Sequence, residues 1–110
     1  MVDWIYDSRK QGLETVFFDY EVEILRYLWS KGGEHASSRE VWSHVSQRQT
    51  ISRASIINSL NRMVKTGVLG YSEVTGKGGH RGMYAPTMNE GELRKHLAEE
   101  LIQSIRNNIG

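Results

Sequence analysis

The stretch from residue 52 to residue 65 combines small, amide and cationic side chains that could bind nucleic acid. At about 100° per residue, the side of a helix opposite Ile56, Leu60 and Met63 carries Ala54, Ser55, Asn58, Asn61, Arg62 and Lys65, while Ser52 and Arg53 lie at the helix N-terminus. The candidate contact residues are Ser52, Arg53, Ala54, Ser55, Asn58, Asn61, Arg62 and Lys65. Cations and the N–H groups of a helix N-terminus attract phosphate, asparagine pairs with adenine, and alanine contacts the thymine methyl. The pattern predicts a helix whose polar side could bind nucleic acid, although Arg62 could be an exposed structural charge and Asn58 an exposed side chain without a ligand.

A second group of cations lies in and beside the glycine-rich turn 75–80. Lys77, His80 and Arg81 can approach a phosphate closely because glycine allows positive φ and leaves the backbone uncovered. Such a turn between two strands predicts a β-hairpin tip whose cations could contact phosphate. The alternative is a turn with solvated charges. A nucleotide-binding phosphate loop is excluded, because Gly-Lys-Ser/Thr and a following helix are missing.

Charge is distributed unevenly along the 110 residues, although the net charge is +1. Residues 48–81 carry six basic side chains and one acidic side chain, Glu73. The flanking residues 1–47 and 82–110 are each net acidic. Because the basic block coincides with the predicted helix and turn, it indicates a face for a polyanion. The alternative is a basic face that contacts solvent alone.

Other chemistries have little support in the sequence. The absence of cysteine excludes disulfides, thiolate zinc sites and cysteine nucleophiles, and it suits a reducing, cytoplasmic environment. The histidines, which lack the spacing of metal ligands, are His35, His44, His80 and His96. No motif orders a nucleophile and a base, so we expect neither an enzyme nor a cofactor. No apolar run is long enough to cross a membrane and no signal peptide is recognisable, so we expect no membrane association.

Two helices are predicted before the candidate site. The first covers about residues 19–30, with Asp19 as its N-cap and a wide apolar arc. The second begins at a capping box in which Ser37 and Glu40 satisfy each other's backbone donors, and it ends near residue 46. Trp29, Trp42 and Tyr84 are interpreted as core residues.

The third helix is predicted over 53–66, with Ser52 as N-cap and Gly67 as a left-handed C-cap. Strands at 68–74 and 81–86 then form a hairpin. A last helix is predicted over about 89–108, with Asn89 as its N-cap and an apolar stripe that recurs every four residues. The predicted fold class is therefore α+β, with three helices, a β-hairpin and a C-terminal helix.

This order of elements and several local motifs resemble winged helix-turn-helix repressors. Residues 52–69 are similar to the recognition helix and first wing strand of such repressors, with a hydroxyl-rich start leading to Leu60, Arg62, Gly67 and Leu69. Residues 20–29 and 38–42 resemble the first two helices of the penicillinase-repressor family, and 81–86 resemble its returning wing strand. The resemblance covers about residues 18–88, and multiple-antibiotic-resistance regulators share much of the pattern.

The resemblance implies a sequence-specific transcriptional regulator, a repressor, that binds double-stranded DNA as a homodimer. We expect an N-terminal arm at 1–18, a winged-helix domain at 19–88 and a dimerising helix at 89–110. The candidate dimer contacts are Leu101, Ile102, Ile105, Ile109, Trp4 and Phe17, which could instead complete the core of one chain. The alternative function is a winged helix that binds another protein and no DNA. The sequence does not define the operator or a small-molecule effector.

Overall fold

The computed structural model describes residues 9–76 and 79–109. A short 3₁₀ helix, Gly12–Thr15, comes first. The other elements are α1 (Asp19–Ser30), β1 (Ala36–Ser37), α2 (Ser38–Val45), α3 (Arg53–Lys65), β2 (Leu69–Gly76), β3 (Gly79–Pro86) and α4 (Glu90–Ile109). The predicted α+β winged helix-turn-helix architecture is confirmed.

The first helix begins at the predicted residue, but its N-cap differs from the prediction. Phe18 is the N-cap and Asp19 is the first helical residue. The Phe18 N–H donates to Oε1 of Glu21 at 3.0 Å, so the carboxylate of Glu21 satisfies the backbone donor of the N-cap residue. The predicted apolar arc is buried, and it includes Val22 and Leu25.

Serine side chains cap the next two helices as predicted. Ser37 Oγ accepts from the Glu40 N–H at 3.2 Å, and Ser52 Oγ accepts from the Ser55 N–H at 3.1 Å. The carboxylate of Glu40 does not complete the predicted box, since its Oε2 accepts from Tyr27 and Lys31 on and beside α1.

The sheet has three antiparallel strands in the order β1-β3-β2, one more strand than the sequence analysis predicted. The short strand β1 pairs Ala36 with Tyr84 and Ser37 with Met83. It escaped prediction because two residues are too few to show an alternating pattern. β1 leads directly into α2, so this pairing places the N-terminus of α2 beside the hairpin.

One core joins the helices to the sheet. Its fully buried members include Leu28 of α1, Val41 of α2, Leu60 of α3 and Leu69 of β2. Two half-buried tryptophans fix the connections around it: Trp42 Nε1 donates to the Ile51 carbonyl at 2.9 Å, and Trp29 Nε1 donates to the Met88 carbonyl at 2.8 Å. Tyr84 is also buried, as predicted.

The last helix packs on this core through its first half. Leu93 and Leu97 are buried, whereas the second half of α4 extends away from the domain and contributes to a longest dimension of 54 Å. At its start, Asn89 Oδ1 accepts from the Glu92 N–H at 2.8 Å, which confirms the predicted N-cap. Among the described residues, no helix is both long and apolar enough to cross a bilayer.

Candidate nucleic-acid interface

The predicted contact face of α3 is largely open to solvent. Its apolar side is sealed, with Ile56, Leu60 and Met63 buried against the core. Ser55 is half-buried, and the candidate residues that are exposed are Ser52, Arg53, Ala54, Asn58, Asn61, Arg62 and Lys65. The helix therefore separates a core side from a polar side in the way that its sequence predicts.

The hairpin of β2 and β3 is the wing of this fold. A polar cleft of about 640 Å³ lies between α3 and this wing. Its lining comes from the start of α2, the start of α3 and the two long strands, and comprises Ser37, Ser38, Arg39, Arg53, Ile57, Tyr71, His80, Arg81, Gly82 and Tyr84. Among the described lining residues, none carries a carboxylate. Three arginines and a histidine therefore converge on one concave surface, and this surface suits an anion.

Sequence reasoning missed Arg39 as a member of this cleft. Arg39 is exposed in the first turn of α2, where the Ser37 cap begins the helix. The pairing of β1 with β3 brings this turn to the wing. The signal that could have found Arg39 is its position just inside a capped helix that precedes the recognition helix, because helix N-termini favour anions.

The wing positions two of its three predicted cations in the cleft. His80 and Arg81 are exposed on β3 and line the cleft with Arg53. His80 Nδ1 lies 3.3 Å from the hydroxyl of Thr75, its cross-strand neighbour. Lys77 lies outside the described residues.

Arg62 forms an ion pair with a completely buried carboxylate. Its guanidinium pairs with Oε2 of Glu21, whose side chain is 0% exposed, while the side chain of Arg62 is 45% exposed. The other oxygen of Glu21 accepts from the backbone of Phe18. Arg62 therefore joins α3 to the start of α1, and a structural role accounts for this residue without any DNA contact.

Asn61 is also held by a neighbour. The hydroxyl of Tyr84 on β3 donates to Asn61 Oδ1 at 3.2 Å, and burial raises the pKa of Tyr84, so the phenol remains a donor. This bond fixes the orientation of the amide and leaves its NH₂ group as the outward donor. Asn58, one turn earlier, is exposed on the same side of α3.

The sequence as a whole matches the model of a known protein family. The family is described as penicillinase repressor, and the match covers residues 18–109. The chain belongs to the penicillinase-repressor family. Together with the winged-helix fold, membership of this family supports a DNA-binding transcription regulator. The comparison with curated proteins gives no match.

Solved structures similar to this penicillinase-repressor family member include three transcription regulators. A possible transcriptional regulator from Methanosarcina mazei has a TM-score of 0.58 at 9% identity, covering 83% of this chain and 78% of its own. The ferric uptake regulator from Francisella tularensis has a TM-score of 0.57 at 20% identity, covering 72% and 58%. A PadR family regulator from Clostridium difficile has a TM-score of 0.55 at 18% identity, covering 83% and 98%. At these identities the similarity shows the fold alone.

The candidate dimer residues of the chain differ in how far they are exposed to solvent. Ile102, Ile105 and Ile109 are 49%, 48% and 81% exposed, and Leu101 is half-buried. Phe17 is only 3% exposed because it packs in the core of the single chain, which favours the alternative that it completes this core. Trp4 lies outside the described residues.

A smaller cavity of about 240 Å³ lies between the 3₁₀ helix and α4. Its walls are mainly apolar and include Leu13, Val16 and Leu97. The one cation among its described lining residues is Arg94, which pairs with Glu90 at 3.1 Å. Among the described residues, no cluster of three or more acidic, histidine or cysteine side chains could hold a metal ion.

Proposed function

We propose that this chain is a sequence-specific DNA-binding repressor that binds its operator as a homodimer. In this proposal α3 enters the major groove, where Asn58, Asn61 and Ala54 meet base edges. The wing contacts the backbone beside that groove through His80, Arg81 and Lys77. Repression follows from occupancy of a promoter site that polymerase needs.

The cleft between α3 and the wing carries this proposal. Arg39, Arg53 and Arg81 come from three different elements and line one surface. A concave row of cations suits the phosphates that border a groove. A row of like charges between α3 and the wing favours a polyanion such as DNA over a protein partner.

The exposed stripe on α4 supports the dimer. Leu101, Ile102, Ile105 and Ile109 fall within an arc of about 100° on the helix, so they form one continuous apolar strip. A strip of this kind on a helix that extends from its domain suits a second copy of the same helix. Two copies would also place two recognition helices on two half-sites.

A salt titration of duplex binding tests the proposal. A labelled random-sequence duplex is titrated with the protein between about 50 and about 200 mM salt, and fluorescence anisotropy gives the affinity. We expect the logarithm of the affinity to fall linearly with the logarithm of the salt concentration. Arg39→Ala, Arg53→Ala and Arg81→Ala should each weaken binding of all duplexes and reduce the slope by about one.

Arg26→Ala is the matched control, because Arg26 is exposed on α1 and does not line the cleft. It removes the same side chain and should leave the slope unchanged. If the unmodified protein fails to bind the duplex even at low salt, the DNA-binding proposal is wrong and the protein-interaction alternative replaces it.

A further inference from the structure

The cleft contains an aromatic side chain that the predicted contact residues do not include. Tyr71 on β2 lines the cleft and is 47% exposed. It faces Tyr84 across the strands, and the two rings meet edge to face with centroids 5.3 Å apart. A large, half-exposed aromatic ring therefore lies among the cations of the cleft.

The position of this ring depends on a glycine. A Cβ atom added at Gly82 would lie 2.6 Å from Cε1 of Tyr71, which is closer than carbon atoms approach. The ring therefore packs over Gly82 of β3, its diagonal cross-strand neighbour, in space that a side chain at position 82 would fill. Because Tyr84 and Gly82 together hold the ring, its hydroxyl is presented at a fixed place in the cleft.

The hydroxyl of Tyr71 donates to Oε1 of Glu73 at 3.2 Å. Reduced hydration, followed by this bond and the charge of Glu73, raises the pKa of Tyr71, so the phenol keeps its proton at neutral pH. Glu73 is exposed on the same strand and is the one acidic residue between positions 48 and 81. The negatively charged carboxylate of Glu73 therefore already accepts the hydrogen bond that the Tyr71 hydroxyl could donate to a ligand in the cleft.

We propose that Tyr71 is a DNA-contact residue whose hydroxyl leaves Glu73 and donates to a backbone phosphate, and that Glu73 competes with that phosphate. This inference rests on the proposed function, since it assigns a contact within the same cleft. A phosphate oxygen takes the position of the carboxylate as acceptor, and the charge of Glu73 opposes its approach. Glu73 thereby limits the affinity for every duplex, whatever its sequence.

Two single variants and the double variant test the inference with the labelled random-sequence duplex. Tyr71→Phe keeps the ring over Gly82 and removes the donor, so binding should weaken about fivefold with an unchanged salt slope. Glu73→Gln should strengthen binding about fivefold at low salt and less at high salt, because screening reduces the repulsion that it relieves. In the Tyr71→Phe background the gain from Glu73→Gln should be smaller, because competition for the hydroxyl is gone.

Two controls separate this contact from general effects. Tyr27→Phe removes a phenol that also donates to a glutamate, Glu40, but away from the cleft. Glu99→Gln removes one negative charge from the exposed surface of α4. Neither control should change the affinity by more than about twofold.

The outcomes distinguish this inference from the proposed function. In one outcome the unmodified protein binds the duplex with a steep salt dependence, and the affinities of Tyr71→Phe and Glu73→Gln lie within about twofold of its affinity. The assignment of Tyr71 and Glu73 is then wrong while the DNA-binding function stands. If the unmodified protein does not bind, both proposals fail. Thermal unfolding of each variant identifies any loss of binding that follows from loss of folding.

Discussion

The guanidinium of Arg62 on α3 pairs with the carboxylate of Glu21, which is completely buried at the start of α1. The same carboxylate accepts from the Phe18 backbone, so both of its oxygens have partners. A buried carboxylate needs such partners, because a charge removed from water without compensation costs several kcal/mol. The pair therefore joins α3 to the start of α1.

Arg62→Ala should destabilise the fold by about 2 kcal/mol, because it removes the cation from the buried carboxylate of Glu21, although the half-exposed position of Arg62 admits water. Chemical denaturation followed by circular dichroism measures this change. The combined variant Glu21→Gln and Arg62→Gln should recover much of the loss, since two amides can share a hydrogen bond without a buried charge. Equal stability of Arg62→Ala and the unmodified protein would contradict a structural role. Because Arg62→Ala is expected to weaken folding as well, the DNA-binding tests use variants of Arg53 and Arg81 instead.

Local signals in the sequence predicted most of the fold. Ser37, Ser52 and Gly67 mark helix ends through interactions within a few residues, and the structure confirms them, with Gly67 at φ 85°. Periodicity predicted the buried side of α3, because one helix face must meet the core.

Contacts between distant segments were not predictable in the same way. Glu21 suited the first turn of α1 by its charge, but its partner is 41 residues away. Arg39 reaches the cleft through a two-residue strand. Phe17 was assigned to a dimer surface because its sequence neighbourhood shows apolar character but not which surface covers it. Each of these depends on tertiary packing, for which periodicity provides no signal.

Ser52 allows stability and DNA binding to be separated at one position. Ser52→Ala should lose about 1 kcal/mol of stability, because the Ser55 N–H loses its cap. Ser52→Asp keeps a capping acceptor and suits the helix dipole, so it should retain stability. It should nevertheless weaken duplex binding, because it adds a negative charge beside Arg53 in the proposed interface. Ser52→Asn is the uncharged control, and equal affinities of the Asp and Asn variants would contradict a DNA contact at the start of α3.

Glu40 should make the fold sensitive to acid. The hydrogen bond from Lys31, and then that from Tyr27, lower the pKa of Glu40 below its ordinary value of 4.5. A folded-state pKa that is depressed contributes stability above the unfolded value and loses it as the pH falls through the folded one. The side chain of Glu40 is 36% exposed, so solvent screening limits the contribution to less than about 1 kcal/mol.

Thermal unfolding from neutral pH to about pH 3 tests this expectation. Glu40→Gln should lower the melting temperature at neutral pH and reduce the loss on acidification. Glu99→Gln, which changes an exposed carboxylate on α4, is the control and should retain the acid dependence of the unmodified protein. Parallel pH profiles for the Glu40→Gln variant and the unmodified protein would show that this cluster does not couple folding to pH.

The exposed strip at the end of α4 predicts a dimer that charge can dissociate. Ile105 is 48% exposed near the middle of the strip, so Ile105→Glu should place repelling charges in a two-fold interface. Sedimentation equilibrium should then give a monomer, while the circular dichroism of the domain is retained because Leu93 and Leu97, which anchor α4, are untouched. Gln103→Glu adds the same charge on the opposite side of α4 and should leave the dimer intact. A monomeric unmodified protein would contradict the proposed homodimer. A dimer unaffected by Ile105→Glu would contradict a dimer interface on this strip. Loss of the dimer should also weaken operator binding far more than random-duplex binding, since specificity depends on both recognition helices acting together.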